Sequence, residues 1–294
     1  MRLASRQTAR SFRRLALWGV LTAVLVVHGG WSGPAETPLR EYPTRYYLVH
    51  SDLPPAEVRE AAVRLTDMAE LYHRRTRHFA GVIRRRLPVY LFRRRERYQQ
   101  AGGVPGSAGM YDGRKLMAHA ANEDRNVLWH TLQHEGFHQF VHQVMQGPLP
   151  IWVNEGLAEY FGHAIWTGDG MVTGVIPPGR LRRVKEMIRA RYVLRFLEML
   201  GMDHETWNRQ LATRNYDQAW SMTHFLVHAD DGRYRRAFEQ FINDVTSGRP
   251  WEMAFVRRFG RDVAAFERRY AEWWLGLPEE PTRDLYVAAT LRTL

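Results

Sequence analysis

The sequence predicts an α+β protein, and three observations carry that expectation. Two short apolar and aromatic runs, Tyr46–His50 and Leu87–Phe92, have the length and residue types of strands and flank a stretch of helical period. Two segments rich in functional side chains, about 122–144 and 151–165, follow as a helix pair broken by Gly147-Pro148-Leu149-Pro150. From about Leu181 onward the pattern is helices joined by short loops. The expected architecture is therefore a small N-terminal mixed sheet with helices, two central site helices, and a helical C-terminal half.

Each element has its own signal. Residues 36–44 are polar and contain Pro, and read as a linker. Pro54-Pro55 stops the first strand, and Pro55 suits a first helical turn. Val58, Ala62, Leu65, Met68, Ala69 and Tyr72 then recur at helical spacing over about 55–79. Arg94–Gln100 begins a short helix that stops at Gly102-Gly103. Ser107–Ala120 reads as a hairpin or edge strands turning at Asp112-Gly113. The segment after Gly168 is Gly-rich and carries no assignment. Helices are expected near 181–190, 205–212, 217–228, 232–246, 250–257 and 262–275. One domain over 45–277 results, in three parts (about 45–121, 122–165 and 181–277), followed by a tail over 278–294.

Composition narrows the chemistry. The 294 residues are 45% hydrophobic, enough for a sizeable core. There is no Cys, which excludes disulfides, thiolate ligands and a thiol nucleophile and leaves His, Asp and Glu for any metal. The net charge is +11, and the first 35 residues contribute five Arg and no acid to it. The remaining excess fits attraction to anionic membrane or wall polymer. No nucleic-acid-binding motif accompanies it, so no nucleic-acid partner is expected.

Arg2, Arg6, Arg10, Arg13 and Arg14 precede an apolar run from Leu15 to Val27. That order marks residues 1–35 as a signal peptide or signal anchor. The run is shorter than the roughly 20 residues that span a bilayer comfortably. The expectation is an exported protein, periplasmic or extracellular, with membrane anchoring through this segment as the second reading.

The chemistry concentrates in His134-Glu135-Gly136-Phe137-His138 and Asn154-Glu155-Gly156-Leu157-Ala158-Glu159-Tyr160. Residues four apart share a helix face, so His134 and His138 can aim two imidazoles at one ion. Glu135 stands where a carboxylate reaches a water on that ion. Sixteen residues separate His138 from Glu155, room for a Pro-bounded turn and a second helix that brings a third ligand. Two His, a carboxylate and an open position suit zinc (Zn2+) in a hydrolytic site. Glu159, one turn on, is placed to accept the free N–H of a ligating His. His130 and His142 extend the ladder at intervals of four but lack a following Glu, and read as polar residues of a cleft wall. Gly136 costs about 1 kcal/mol in a helix interior, which predicts a close neighbour there, such as the second site helix. Trp152 and Tyr160 are expected to pack that pair.

HEGFH and LPIWVNEGLAEYF together resemble the gluzincin metallopeptidases, the group of thermolysin and the large zinc aminopeptidases. The likeness looks closest to the peptidase-MA-like families, including a related domain family of unknown function in exported bacterial proteins. YYLVHSDLP, LPVYLF and GSAGMYDGRKLMAHA extend it over roughly residues 45–230. The resemblance implies that His134, His138 and Glu155 bind zinc, that Glu135 is the general base, and that Glu159 supports a ligand. The stretch between LPVYLF and the site helix has no match to the aminopeptidases' N-terminus-binding acidic motif, so an endopeptidase is expected. Related families carry an aromatic at the start of a helix after the site. This makes Tyr216 the first candidate to stabilise an oxyanion, with His224 second.

The expected function is thus zinc-dependent hydrolysis of peptide or protein substrates. An edge strand within 108–111 or 116–120 could hold an extended peptide. Two alternatives remain open at this level. One is a non-catalytic zinc-bearing module that binds peptide or wall material, which would have no need of Glu135. The other is a helical protein with a fortuitous motif.

Overall fold

A strand, a long helix and a second strand open the chain. The computed structural model describes residues 37–210 and 213–292. The leader-like segment, with its apolar run, lies outside them. β2 (Tyr47–Ser51) alternates buried and half-buried residues, as a strand covered mainly on one face does. Helix α1 (Pro55–Thr76) starts at the expected Pro and buries Val58, Ala61, Leu65, Met68, Ala69 and Tyr72. It leads into β3 (Leu87–Phe92), which pairs parallel to β2, so the unit is a βαβ crossover.

The short helix α2 (Arg95–Gln100) and the hairpin β4 (Gly109–Tyr111) and β5 (Leu116–His119) complete this half. β5 pairs parallel to β3, and β4 pairs antiparallel to β5. Gly113, at φ +87°, takes the left-handed turn position that residues with a Cβ rarely adopt.

The linker expected over 36–44 is corrected. β1 (Arg40–Pro43) pairs antiparallel with β2, giving a five-stranded sheet in the order β1-β2-β3-β5-β4. Pro43 is tolerated because it ends an edge strand. Thr44 N donates to Tyr47 O at 2.8 Å and closes the reversal. Both sheet edges are antiparallel strands, and β4 is the edge beside the site.

Helix α3 (Arg125–Val144) begins where Asp124 accepts a hydrogen bond from Asn126 N, an N-cap worth about 1 kcal/mol. Helix α4 (Ile151–Gly162) follows the Pro-bounded turn, and every residue in it except Asn154 is buried. Gln133 of α3 donates from Nε2 to the carbonyls of Phe161, Gly162 and Ala164 at 2.9–3.1 Å. It thereby satisfies the C-terminal end of α4 and ties the two helices together.

A small hairpin, β6 (Ile165–Trp166) and β7 (Met171–Val172), occupies the Gly-rich segment the sequence left open. The helical half comprises α5 (Pro178–Arg189), α6 (Phe196–Leu200), α7 (His204–Gln210), α8 (Thr213–Gly232), α9 (Arg235–Thr246), α10 (Trp251–Phe259) and α11 (Val263–Gly276). The backbone leaves helical geometry at Ala229 to Asp231, near the end of α8. The tail over 278–294 contains a helix, α12 (Arg283–Arg292). Its Ala289 is buried, and Ile176 N donates to Thr282 Oγ1 at 2.9 Å just before it. Residues 38–294 make one compact unit. Among the described residues no helix is long and apolar enough to cross a membrane.

Two glycines show how closely the site helices are held. A Cβ at Gly136 would lie 2.6 Å from Met68 Cε, so its neighbour is α1, not the second site helix. A Cβ at Gly156 would lie 2.5 Å from the backbone oxygen of Ala219, so the close approach is between α4 and α8. Met68 can swing its end aside, whereas a backbone carbonyl cannot. Gly156→Ala is therefore expected to lose about 1–3 kcal/mol to overpacking. Gly136→Ala should stay within about 1 kcal/mol of wild type, because gained helix propensity offsets the displaced methyl. Urea unfolding of the two variants reads the difference, and equal losses would contradict this packing. Trp152 and Tyr160 likewise face the helical half rather than α3. Trp152 packs on Phe238 and Phe241, and Tyr160 on His224 and His228.

Candidate metal centre

The helical repeat of α3 puts His134 and His138 side by side, and α4 crosses them with Glu155. Three atoms converge. His134 Nε2 and His138 Nε2 are 3.1 Å apart, and Glu155 Oε2 lies 3.5 and 3.6 Å from them. Ligand bonds of about 2.0–2.1 Å at tetrahedral angles require donor separations of about 3.3–3.4 Å. The triangle has the size zinc needs.

Tautomers reinforce the fit. His138 Nδ1 lies 3.2 Å from Asn154 Oδ1, an acceptor, so Nδ1 carries the proton and Nε2 presents its lone pair to the triangle. The buried Nδ1 of His134 faces the Glu159 carboxylate at 3.2 Å, a neighbour that favours the proton on Nδ1 and the lone pair on Nε2. Two imidazole lone pairs and a carboxylate oxygen then point at one another. Only a cation between them relieves the repulsion, and without metal that cation is a proton. Burial opposes charge on His134, but hydrogen bonds to Glu155 and Glu159 and their charges outweigh it and push its pKa up to about 10. Burial likewise opposes charge on Glu155, and the two imidazoles pull its pKa down to about 2.

His134 therefore carries a proton at neutral pH in the metal-free protein. Zinc is expected to displace it, releasing about one proton per ion bound at pH 7. Titration calorimetry in buffers of different ionisation enthalpy measures this. A buffer-independent enthalpy would contradict the assignment. The three side chains are not fully enclosed: His134, His138 and Glu155 keep 12, 15 and 12% of their exposure.

Glu135 is half-buried, and its Oε2 accepts a hydrogen bond from Tyr111 N at 2.8 Å. This ties the carboxylate to β4. Asp112 N donates to Lys115 O and His119 N to Ala108 O, so alternate residues of β4 turn their backbone groups toward β5. Gly109 and Tyr111 turn theirs away from β5, and Tyr111 N meets Glu135 there.

Glu159 is held from behind. Arg180, itself buried, pairs with Glu159 Oε2 through Nη1 and with Asp217 Oδ1 through Nε at 2.8 Å. Its Nη2 also donates to Tyr216 O, and its guanidinium lies 4.5 Å from the Trp220 ring centroid. Arg183 closes the chain on Asp217 at 2.7 Å. Burial works against the Glu159 carboxylate, but His130, His134 and Arg180 hold its pKa far below the usual range. Glu159 is thus an anion held between the His134 imidazole and a buried cation.

A second group, His130, Glu159 and His163, also brings three donors together. Arg180 Nη1 lies 2.6 Å from His163 Nε2 and pairs with the same carboxylate, so a guanidinium already fills the cation position. Burial and that guanidinium push His163 down to about 3, leaving a neutral acceptor. His130, Gln133 and His163 help line a cavity of about 660 Å³ on the Glu159 side of His134. His142 sits apart, with Nδ1 2.6 Å from Tyr111 Oη.

Tyr216 and His224 separate clearly. Tyr216 is half-buried at the start of α8, where its ring meets Trp207 at 5.1 Å. Burial raises its pKa, the Trp207 hydrogen bond opposes that, and the charges of Glu155, Glu159 and Glu135 raise it further. The hydroxyl therefore stays protonated and within electrical reach of the centre. His224 is corrected as a candidate: it is buried among Tyr160, Trp220, Trp274 and His228, and neither ring nitrogen has a partner.

Sequence reasoning missed Asn154, Arg180 and Asp217. Asn154 had a signal, as the one polar residue before Glu155 in an apolar helix start. Arg180 and Asp217 had none, because their partners are remote in sequence.

A family described as a protein of unknown function, DUF1570, matches residues 129–252, which include most of α3 and all of α4. No curated protein matches. Two crystal structures of a mutant M1 zinc metallopeptidase from Deinococcus radiodurans are similar to the chain. The one bound to a Tyr-Ser-Ala substrate is 18% identical with a TM-score of 0.34, and the likeness covers 83% of this chain and 54% of that one. The other is 16% identical with the same TM-score, covering 83% and 53%. The chain thus spans about half the length of these structures.

Proposed function

We propose that the protein is a zinc-dependent peptidase that hydrolyses internal peptide bonds. The observation that carries this reading is the donor triangle of His134, His138 and Glu155, matched to tetrahedral zinc and joined by a carboxylate on the next residue of α3. Zinc, when bound, supplies Lewis acidity toward water and the scissile carbonyl. Glu135 takes the proton from the attacking water and delivers it to the leaving amine. Tyr216 donates its O–H to the oxyanion that develops at the carbonyl. Asn154 and Glu159 hold the two ligand rings in the required tautomers.

The outward backbone groups of Gly109 and the outward carbonyl of Tyr111, whose N–H is held by Glu135, offer an extended peptide a strand edge to pair with. This side of β4 is where Glu135 lies, so a peptide paired there passes the base. The basic and apolar order of residues 1–35 supports action outside the cytoplasm on peptide or protein substrates.

The test is a peptide-library digest by the full chain as purified, after chelation, and after zinc is restored. Cleavage inside peptides that vanishes and returns with zinc supports the reading. Zinc retained with no cleavage of any peptide would leave only a binding module.

A further inference from the structure

Away from the metal centre, we propose that the cleft between the C-terminal end of α1 and the N-terminal end of α9 binds a phosphate-bearing anion. Arg74, Arg75 and Arg77 from α1 and its end meet Arg235 and Arg236 of α9 around a cavity of about 690 Å³, with Glu239 the one acid in the lining. The cavity has the size of a small-molecule site.

Density marks this cluster: five arginines from two helix ends share one cavity with a single acid. Other arginines, such as Arg97 with Asp52, Arg258 with Asp244 and Arg269 with Asp230, are matched by carboxylates. None of the five cleft arginines pairs with a carboxylate among the described residues. Arg235 donates to Val227 O, which anchors it, and Arg77 donates to His78.

The helix ends sharpen the point. Basic residues in the last turn of α1 complement the negative end of that helix and need no ligand. Arg235 and Arg236 do the opposite, placing two cations at the positive end of α9, which has no side-chain cap. Five guanidiniums without a carboxylate partner, beside an uncapped helix start, offer an anion several donors at once. Phosphate suits them, because the guanidinium fork matches its oxygens in pairs. Several phosphate charges would be needed to balance the cluster, so an oligophosphate or a crowded set of headgroups fits better than a single carboxylate. None of these residues belongs to the zinc ligands or their supports.

The probe is inorganic tripolyphosphate, titrated calorimetrically into the full chain at physiological salt. Wild type is expected to bind it saturably, one per chain. The pair Arg75→Gln with Arg236→Gln should weaken binding about tenfold or more, as loss of charged hydrogen bonds does. The control pair Arg84→Gln with Arg85→Gln, which lines a different basic cavity, should bind as wild type. All four side chains are exposed, so folding and zinc content should hold. A second arm identifies the source. Phosphatidylglycerol vesicles that bind wild type and are displaced by tripolyphosphate make the natural ligand a lipid headgroup. Vesicles that tripolyphosphate does not displace make it a soluble phosphate compound. Absence of saturable tripolyphosphate binding, or equal weakening in both pairs, overturns the proposal.

Discussion

Glu135→Gln is expected to lower peptide hydrolysis by about 10²–10⁴-fold, the usual contribution of a positioned general base. Zinc content should not change, since Glu135 is outside the donor triangle. The amide keeps the size of the side chain and can still accept from Tyr111 N, so β4 should hold its place. What it loses is the ability to take a proton. Steady-state cleavage of a peptide found in the library digest, beside zinc analysis of the same preparations, separates the outcomes. Full activity in the variant would remove Glu135 from the mechanism. Loss of zinc with loss of activity would show that the residue helps hold the metal instead.

Arg180→Met carries the second large effect. Arg180 is buried and bridges the buried carboxylates of Glu159 and Asp217. Removing one partner of a buried ion pair costs about 3–5 kcal/mol, and the low end applies because Arg183 and two imidazoles remain near the carboxylates. Arg183→Met is the comparison. Its side chain is half exposed, so its loss should cost about 1 kcal/mol or less. Urea unfolding measures both. Similar losses would mean that the Arg180 bridge does not hold Glu159 in place.

The parts of this protein readable from its sequence are those fixed by local period. His134 and His138 share a face because a helix repeats that way, and LPVYLF is a strand because a six-residue, mostly apolar run between two arginine triplets is too short for a helix. The crossing of α4 over α3 was legible from the Pro-bounded turn and Glu155 after it. Elements depending on distant partners were not. β1 looks like linker because its Pro and charges hide a strand that exists only by pairing with β2. The tail helix is seated through Thr282 on Ile176, more than a hundred residues away. The same holds inside the site. Glu159 was visible beside Glu155, but the buried Arg180 that fixes it comes from a helix that no spacing rule links to the motif. Gly136 announced a close neighbour without saying which, and the neighbour is Met68.

The most direct test is zinc analysis with X-ray absorption on the purified full chain and on His134→Ala with Glu155→Ala. Wild type should hold about one zinc per chain with nitrogen and oxygen ligands at about 2.0–2.2 Å, and the double variant should hold none. A wild type that stays metal-free in zinc-containing buffer, or a double variant that keeps its zinc, would contradict the account.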